Sequence, residues 1–469
     1  MNELLKMSLV ELCKAIRQRK ASPVELMEAV ISRVEETHSD LNAVVAMRNK
    51  EALLTDAKAS EDRVMRDEAR PLEGIPMGIK DLEDAEGLVN SEGSLLFRDR
   101  VSQHDSTQVA RLRKAGAIVF GKTNTPEFGF TAITKNLLYG TTRSPWNLDH
   151  TPGGSSGGSA AVLAGCILPL VTASDGGGSI RIPASFTGAF GLKPSFGRIP
   201  RGPFNQWSYG DIAVYGPITK TVEDAAFFMD QVVGVSPDDP DSLPHPGISY
   251  FETVRGPLPK NLRIGFSVDL GHAVVQSDVA SAVEEGVKIF EKQGHRLEII
   301  KDGPPLIGDD WNLVSAFENA SRLYALLPEN ESKITRSYLQ RLKDVWSMTP
   351  ERWGEAAVKR NRVNAWCKEF FSMFDLLVTP TVPYDPPPAG GPFPRETEGR
   401  QQVPAASAVF TIPFNQSGHP AATVRVGMSA AGLPIGMQII GPRHQEDLVL
   451  SAARVFENEK PWHPNWPVA

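Results

Sequence analysis

Two serines set among glycines are the residues of this chain best placed to do chemistry. Gly153-Gly154-Ser155-Ser156-Gly157-Gly158-Ser159 and Gly176-Gly177-Gly178-Ser179 both lie in one stretch, Thr151 to Pro203. Glycine permits positive φ and lets other atoms approach the backbone closely. The first cluster runs into Ser159-Ala160-Ala161-Val162-Leu163-Ala164, mostly good helix formers, so it reads as a loop opening a helix. Ile167 to Ala173 reads as a short buried strand, and the second cluster follows it directly. Its successive glycine N–H groups make an anion-binding nest with Ser179 at the end. Three readings compete. Both clusters could be plain turns of an α/β fold. They could bind phosphate, but neither GxGxxG nor GxxxxGK[ST] is present. Or they could carry a serine nucleophile. Gly153 to Gly157 formally matches the GxSxG elbow of α/β-hydrolases, which needs a strand before the serine; Ser144 to Pro152 reads as a loop instead. Ser179 does follow a strand, and the donors beside it could hold an oxyanion.

A serine hydroxyl is a poor nucleophile without a base. Nine histidines are present, but none lies in the glycine clusters and no His/Asp pairing suggests itself. A downstream histidine such as His419 or His444 is the base that an α/β-hydrolase reading would require. A lysine can serve if burial keeps it neutral. Lys80 follows the apolar run Ile75-Pro76-Met77-Gly78-Ile79, which suits a desolvated site; a lone lysine is otherwise a solvated surface cation.

Taken together, GGSSGG at 153–158, Gly176-Gly177-Gly178-Ser179 followed by IRIPA, and Gly74-Ile75-Pro76-Met77-Gly78-Ile79-Lys80-Asp81 resemble the amidase signature family in type, order and spacing. The likeness extends roughly from Ser8 to Glu457. It implies a Ser-cisSer-Lys triad. Lys80 is the base, Ser155 (after a cis peptide bond) the relay, and Ser179 the nucleophile that carries an acyl intermediate. Gly176, Gly177, Gly178 and Ser179 would supply the oxyanion hole. Gly154, Phe128, Ile133 and Trp207 would contact the substrate, with Phe130, Tyr209, Trp311 and Phe317 in segments expected nearby. Asn124, Glu127 and Phe128 match a further family motif that is scaffold or pocket wall. Asp175 and Arg181 would pair to brace the nucleophile loop. Two positions depart from many members: Gly176, where Thr is common, and Asn90-Ser91, where Thr-Thr is. The family also contains the glutamine-hydrolysing component of a tRNA-dependent amidotransferase, which commonly has Met-Asp where this chain has Thr125-Pro126. A stand-alone hydrolase of apolar or aryl amides, with esters or carbamates as further substrates, is therefore the expectation. No cofactor and no metal are implied. The partner is a small amide, not nucleic acid or a membrane, and a homodimer is compatible with the reading.

The elements that must position these groups are legible in part. Ser8-Leu9-Val10-Glu11 and Ser22-Pro23-Val24-Glu25 are capping boxes, so residues 8 to about 65 read as a helical arm. Leu72 to Lys80 reads as an extended segment delivering the lysine. Ser106 to Gly116 reads as a helix before a strand at Ala117-Ile118-Val119-Phe120. Leu262 to Phe266, Asp278 to Gln293 and Arg296 to Ile300 form a strand–helix–strand unit. Residues 305–372 read as a variable helical cover. Phe374 to Thr381 is a strand, and Pro383 to Pro394 a mobile loop too rich in Pro and Gly for regular structure. Two late strands, 421–426 and 435–440, precede a closing helix over Gln445 to Asn458. The fold class is thus α/β: a single large mixed sheet with helices on both faces, one domain over residues 1–469, comprising an arm (1–65), a signature core (66–260) and the cover (305–372).

Composition sets the remaining bounds. The chain has 469 residues, 41% hydrophobic and 22% charged, with a net charge of -7. That is an ordinary globular balance, and the net negative charge gives no reason to expect nucleic acid as a partner. Cys13, Cys166 and Cys367 are too scattered for a disulfide framework or a zinc site. The charged N-terminus lacks a secretory signal and no run is long enough to span a membrane, so a cytoplasmic location is expected.

Overall fold

The computed structural model describes residues 2–203 and 210–467; Trp207 and Tyr209 fall outside them. Its centre is a mixed sheet of 11 strands. In chain order these are β1 (Val44–Met47), β2 (Pro76–Lys80), β3 (Ile118–Thr123), β4 (Leu170–Asp175), β5 (Phe190–Lys193), β6 (Val214–Thr219), β7 (Arg263–Phe266), β8 (Arg296–Ile299), β9 (Leu376–Pro380), β10 (Ala421–Met428) and β11 (Pro434–Ile440). The spatial order is β1-β3-β2-β4-β6-β5-β10-β11-β9-β7-β8. The β3-β2-β4 trio and the β9-β7-β8 trio are parallel, and the strands between them antiparallel. The central strands are buried along their whole length, so they read as apolar runs rather than alternating ones.

The N-terminal arm is not purely helical. Helices Leu9–Arg17, Pro23–Leu41 and Lys50–Met65 are interrupted by β1, which pairs antiparallel with β3 and forms that edge of the sheet. Its Val-Val-Ala-Met sequence favours a pleated, half-buried surface, and it covers an otherwise open sheet edge. Both expected capping boxes are present, on Ser8 and Ser22. The arm is fastened to the body by Lys220, whose ammonium donates to the carbonyls of Leu5 and Met7, and by Asp224, which accepts from the Val10 N–H (2.9 Å).

The cover comprises helices Gly308–Val314, Phe317–Leu323, Arg336–Trp346 and Pro350–Met373. Two buried carboxylates of the core hold it down. Glu92 receives Arg322 through both guanidinium nitrogens (2.8 and 2.6 Å) and Arg100 (3.0 Å). Glu127 accepts from Ser94 Oγ and from the N–H of Thr335, which begins the third of these helices (2.7 Å each). Pro383 to Pro394 has no regular structure, as its composition requires; a small hairpin at Glu396–Thr397 and Arg400–Gln401 follows it. Among the described residues the three cysteines are free, and no helix is long and apolar enough to cross a membrane.

Candidate active site

Parallel strands β2 and β4 end side by side, and a crevice beyond such carboxyl ends is a recurrent place for ligands. Lys80 is the last residue of β2. Its own N–H donates to Thr172 Oγ1 of β4 (3.0 Å), which locks the register. Its ammonium, 1% exposed, lies 2.8 Å from Ser155 Oγ, 2.9 Å from Ser174 Oγ and 3.3 Å from the Ser174 carbonyl. Burial strips water from the charged form and brings the Lys80 pKa down to about 7, against the opposing pull of the Asp175 and Glu83 carboxylates.

Ser155 stands just before the Gly157–Ala164 helix, after a cis Gly154–Ser155 bond. That helix is wholly buried and is tied to the sheet through Ser159, which bonds the Thr172 carbonyl and Thr123 Oγ1 (2.8 Å each). No regular strand precedes Ser155, so the elbow geometry of α/β-hydrolases is absent here. The two glycine clusters meet where the Ser156 N–H donates to the Ser179 carbonyl (3.3 Å). Ser179 Oγ makes no hydrogen bond among the described residues. It is half-buried and borders a cavity of about 520 Å³ that Gly154 and Gly177 also line.

The loop carrying Ser179 is held by a buried ion pair. Arg181 and Asp175 are both 0% exposed. The guanidinium donates to the carboxylate through Nε (3.0 Å) and Nη2 (2.9 Å), and its remaining N–H groups reach the Thr411 carbonyl, Gln438 Oε1 and Asn415 Oδ1. Burial alone would raise the Asp175 pKa; the Arg181 charge and hydrogen bonds outweigh it and hold the carboxyl far below its ordinary range. The expected brace is therefore present. It also alters the expected oxyanion hole, because the Gly178 N–H, at φ 136°, donates to Asp175 Oδ1 (2.7 Å). The N–H groups of Gly176, Gly177 and Ser179 meet no acceptor among the described residues.

The cavity wall differs from the one expected. Gly154, Phe130 and Trp311 line it. Phe128 does not: at 0% exposure it sits in a core cluster, stacked on Tyr338 with ring centroids 5.1 Å apart and edge-on to Phe97 at 6.0 Å. Ile133 is buried away from the cavity, and Phe317 is 48% exposed against Trp353. Trp207 lies outside the described residues. What the sequence reading missed is the far wall, formed by Tyr384, Phe393 and the segment from Gln402 to Ala408. It also missed Ser174, Thr411, Asn415 and Gln438 as supports of the lysine and the loop. Ser174 could have been found from the alternation of β4; the other three carry no local signal. Among the described residues, no aspartate, glutamate or histidine lines the cavity. Neither His419, bonded to Ser417 Oγ (2.8 Å), nor His444 does so.

The family model described as Amidase matches residues 25–450. An acylamidase of Rhodococcus erythropolis is 34% identical over 98% of this chain and 97% of its own length. A component chain of the glutamyl-tRNA(Gln) amidotransferase of Pseudomonas fluorescens is 30% identical over 98% and 99%. Among solved structures, a bacterial aryl acylamidase of the amidase signature family superposes with a TM-score of 0.91 at 30% identity, covering 99% of this chain and 98% of that one. A 6-aminohexanoate cyclic dimer hydrolase gives 0.88 at 28%, covering 99% of each. The chain belongs to the amidase signature family, and it is an amide-hydrolysing enzyme.

Proposed function

We propose that the enzyme hydrolyses apolar or aryl carboxylic amides through Lys80, Ser155 and Ser179, with no cofactor. The observation that carries this reading is the 2.8 Å contact between a buried lysine of pKa about 7 and Ser155, just behind Gly129 and Gly154 of the cavity that Ser179 borders. Neutral Lys80 Nζ takes the Ser155 hydroxyl proton as Ser155 Oγ takes that of Ser179. Ser179 Oγ bonds to the amide carbon and the carbonyl π pair moves to oxygen. The N–H groups of Gly176, Gly177 and Ser179 are the donors available to that oxyanion, in a site where fixed dipoles act at low dielectric. Ser155 gives a proton to the leaving nitrogen and regains one from Lys80, the carbonyl re-forms as the C–N bond breaks, and an acyl group remains on Ser179. Water then attacks by the same proton route and releases the acid. The same acyl chemistry extends to esters and carbamates.

An apolar substrate is supported by the cavity's aromatic and aliphatic residues, Phe130, Trp311, Tyr384, Phe393 and Val403, which stand beside two arginines, Arg341 and Arg395, with no carboxylate among the described lining residues. The names of the two acylamidase relatives point the same way. The alternative, glutamine hydrolysis for a tRNA-dependent amidotransferase, rests on the amidotransferase relatives. Labelling with a fluorophosphonate, mapping of the modified residue, and kcat/KM for a nitroanilide, acetamide and glutamine test both. Ser179 should be the labelled residue, Ser179→Ala should be inactive, and the anilide should be preferred. Label on another residue, or more than a few per cent activity in Ser179→Ala, refutes the nucleophile; preference for glutamine refutes the substrate class.

A further inference from the structure

The oxyanion loop has no side chain at positions 176, 177 and 178, so its peptide planes must be oriented from outside. A trans peptide is planar, and its C=O and following N–H point in opposite directions. Fixing each carbonyl therefore aims the next N–H. The structure fixes four in succession. The Asp175 carbonyl accepts from Asn415 Nδ2 (2.8 Å), that of Gly176 from Trp311 Nε1 (2.8 Å), that of Gly177 from Thr411 Oγ1 (2.6 Å) and that of Gly178 from the Ile182 N–H (2.7 Å). The bond to the Gly176 carbonyl controls the Gly177 N–H. That donor is one of those left without an acceptor, and Gly177 faces the cavity.

Trp311 differs from the other three anchors in coming from the helical cover. Its indole lies so close that a Cβ on Gly177 would fall 2.3 Å from the ring, so only glycine fits beneath it. The residues on either side of Trp311 are tethered to other parts of the cover. Asp310 pairs with Arg352 (2.6 Å) and Lys359 (2.8 Å), and Asn312 Oδ1 accepts from Arg341 (2.9 Å). Asp310 and Asn312 thus fix the first helix of the cover to the helices behind it, and Trp311 between them joins it to the loop that carries Ser179.

We propose that Trp311 is a positioning residue for catalysis, aiming the Gly177 N–H at the transition-state oxyanion through its hydrogen bond to the Gly176 carbonyl. This rests on Ser179 being the nucleophile. The cover is thereby part of the catalytic apparatus as well as a wall of the substrate pocket.

Trp311→Phe keeps an aromatic ring over Gly177 and removes the N–H. Loss of a single hydrogen bond of this kind corresponds to about a ten-fold effect. The variant should therefore show kcat, and the rate constant for phosphonylation of Ser179 by a fluorophosphonate, each about ten-fold lower. KM for an anilide should stay within about two-fold, and the pH inflection from Lys80 should not move. Trp311→Ala also removes pocket wall and should raise KM in addition. Wild-type kcat in Trp311→Phe, a loss confined to KM, a shifted inflection, or a protein recovered only unfolded would each overturn the proposal. Mapping of the label in the wild-type protein is independent of these outcomes: label on a residue other than Ser179 would instead remove the nucleophile assignment beneath it.

Discussion

Replacing Lys80 with methionine should remove amide hydrolysis and, with it, the rise of activity through neutral pH. The side chains are similar in length, so the change deletes the amine with little change in packing. Burial lowers the lysine from 10.5 to about 7, which at ~1.4 kcal/mol per unit is roughly 5 kcal/mol against the charged form. A solvated lysine at pH 7 is neutral in only about one molecule in 3,000; here the neutral form is about half, a gain in free base on the order of 10³-fold. Since the base must be neutral to accept the Ser155 proton, kcat/KM should rise from pH 5, bend near 7 and level off above about 8. Stability follows the same group. Between about pH 7 and 10.5 the unfolded chain holds the proton and the folded one does not, so this site's contribution to stability rises with pH across that window and is flat outside it. Lys193, fully buried with its ammonium on the neighbouring Pro194 carbonyl, is also brought to about 7 by burial, but among the described residues it makes no hydrogen bond to Ser155 or Ser174, as Lys80 does. Kinetics on an anilide across this pH range separate the two: the bend should persist in Lys193→Met, and Lys80→Met should lose roughly 10⁴-fold or more of kcat. A Lys80→Met enzyme with several per cent of wild-type activity, or a bend that disappears only with Lys193, would refute the reasoning.

Other outcomes follow from the same contacts. Phe128→Ala should cost about 3–5 kcal/mol in chemical denaturation by opening a core cavity and leave KM for the anilide nearly unchanged, whereas Phe130→Ala should raise KM; equal effects on KM would place Phe128 in the pocket after all. Glu92→Ala strands Arg322 and Arg100 and should cost about 3–5 kcal/mol, with the cover becoming susceptible to limited proteolysis before the rest of the chain; protease resistance equal to wild type would contradict its role as a fastener. Extended dialysis against EDTA should leave the rate unaltered, because the proposed proton relay uses only side chains of this chain; a loss restored by zinc or manganese would show that a metal takes part.

Chemistry written locally was legible in the sequence. Gly153–Ser159 and Gly176–Ser179 announced two backbone-permissive serine loops, the run before Lys80 announced a buried amine, and the capping boxes at Ser8 and Ser22 fixed two helix starts. Each is a property of a few neighbouring residues. The same is true of the Asp175–Arg181 pair, six residues apart. β1 was missed because it is only four residues long between two strong helices, and its strand character depends on the exposed edge of β3.

Tertiary structure decided everything that requires distant residues to meet. Phe128 and Phe130 stand two positions apart and look alike in sequence, yet one is core and one is cavity wall; both rings pack on Tyr338, and Phe128 is further enclosed by Phe97 while Phe130 reaches the cavity. The far wall comes from Tyr384, Phe393 and Gln402 to Ala408, and the loop anchors from Trp311, Thr411 and Asn415. These anchors lie 135 to 240 positions from the peptides they hold and have no periodicity to betray them. Even the availability of the loop's N–H groups is tertiary. Four N–H groups are equivalent in the sequence Gly-Gly-Gly-Ser, and only the fold shows that Gly178 commits its own to Asp175. A sequence states which groups can react, because reactivity resides in residue types and their neighbours; which way a peptide plane faces depends on whatever the completed fold brings against its carbonyl.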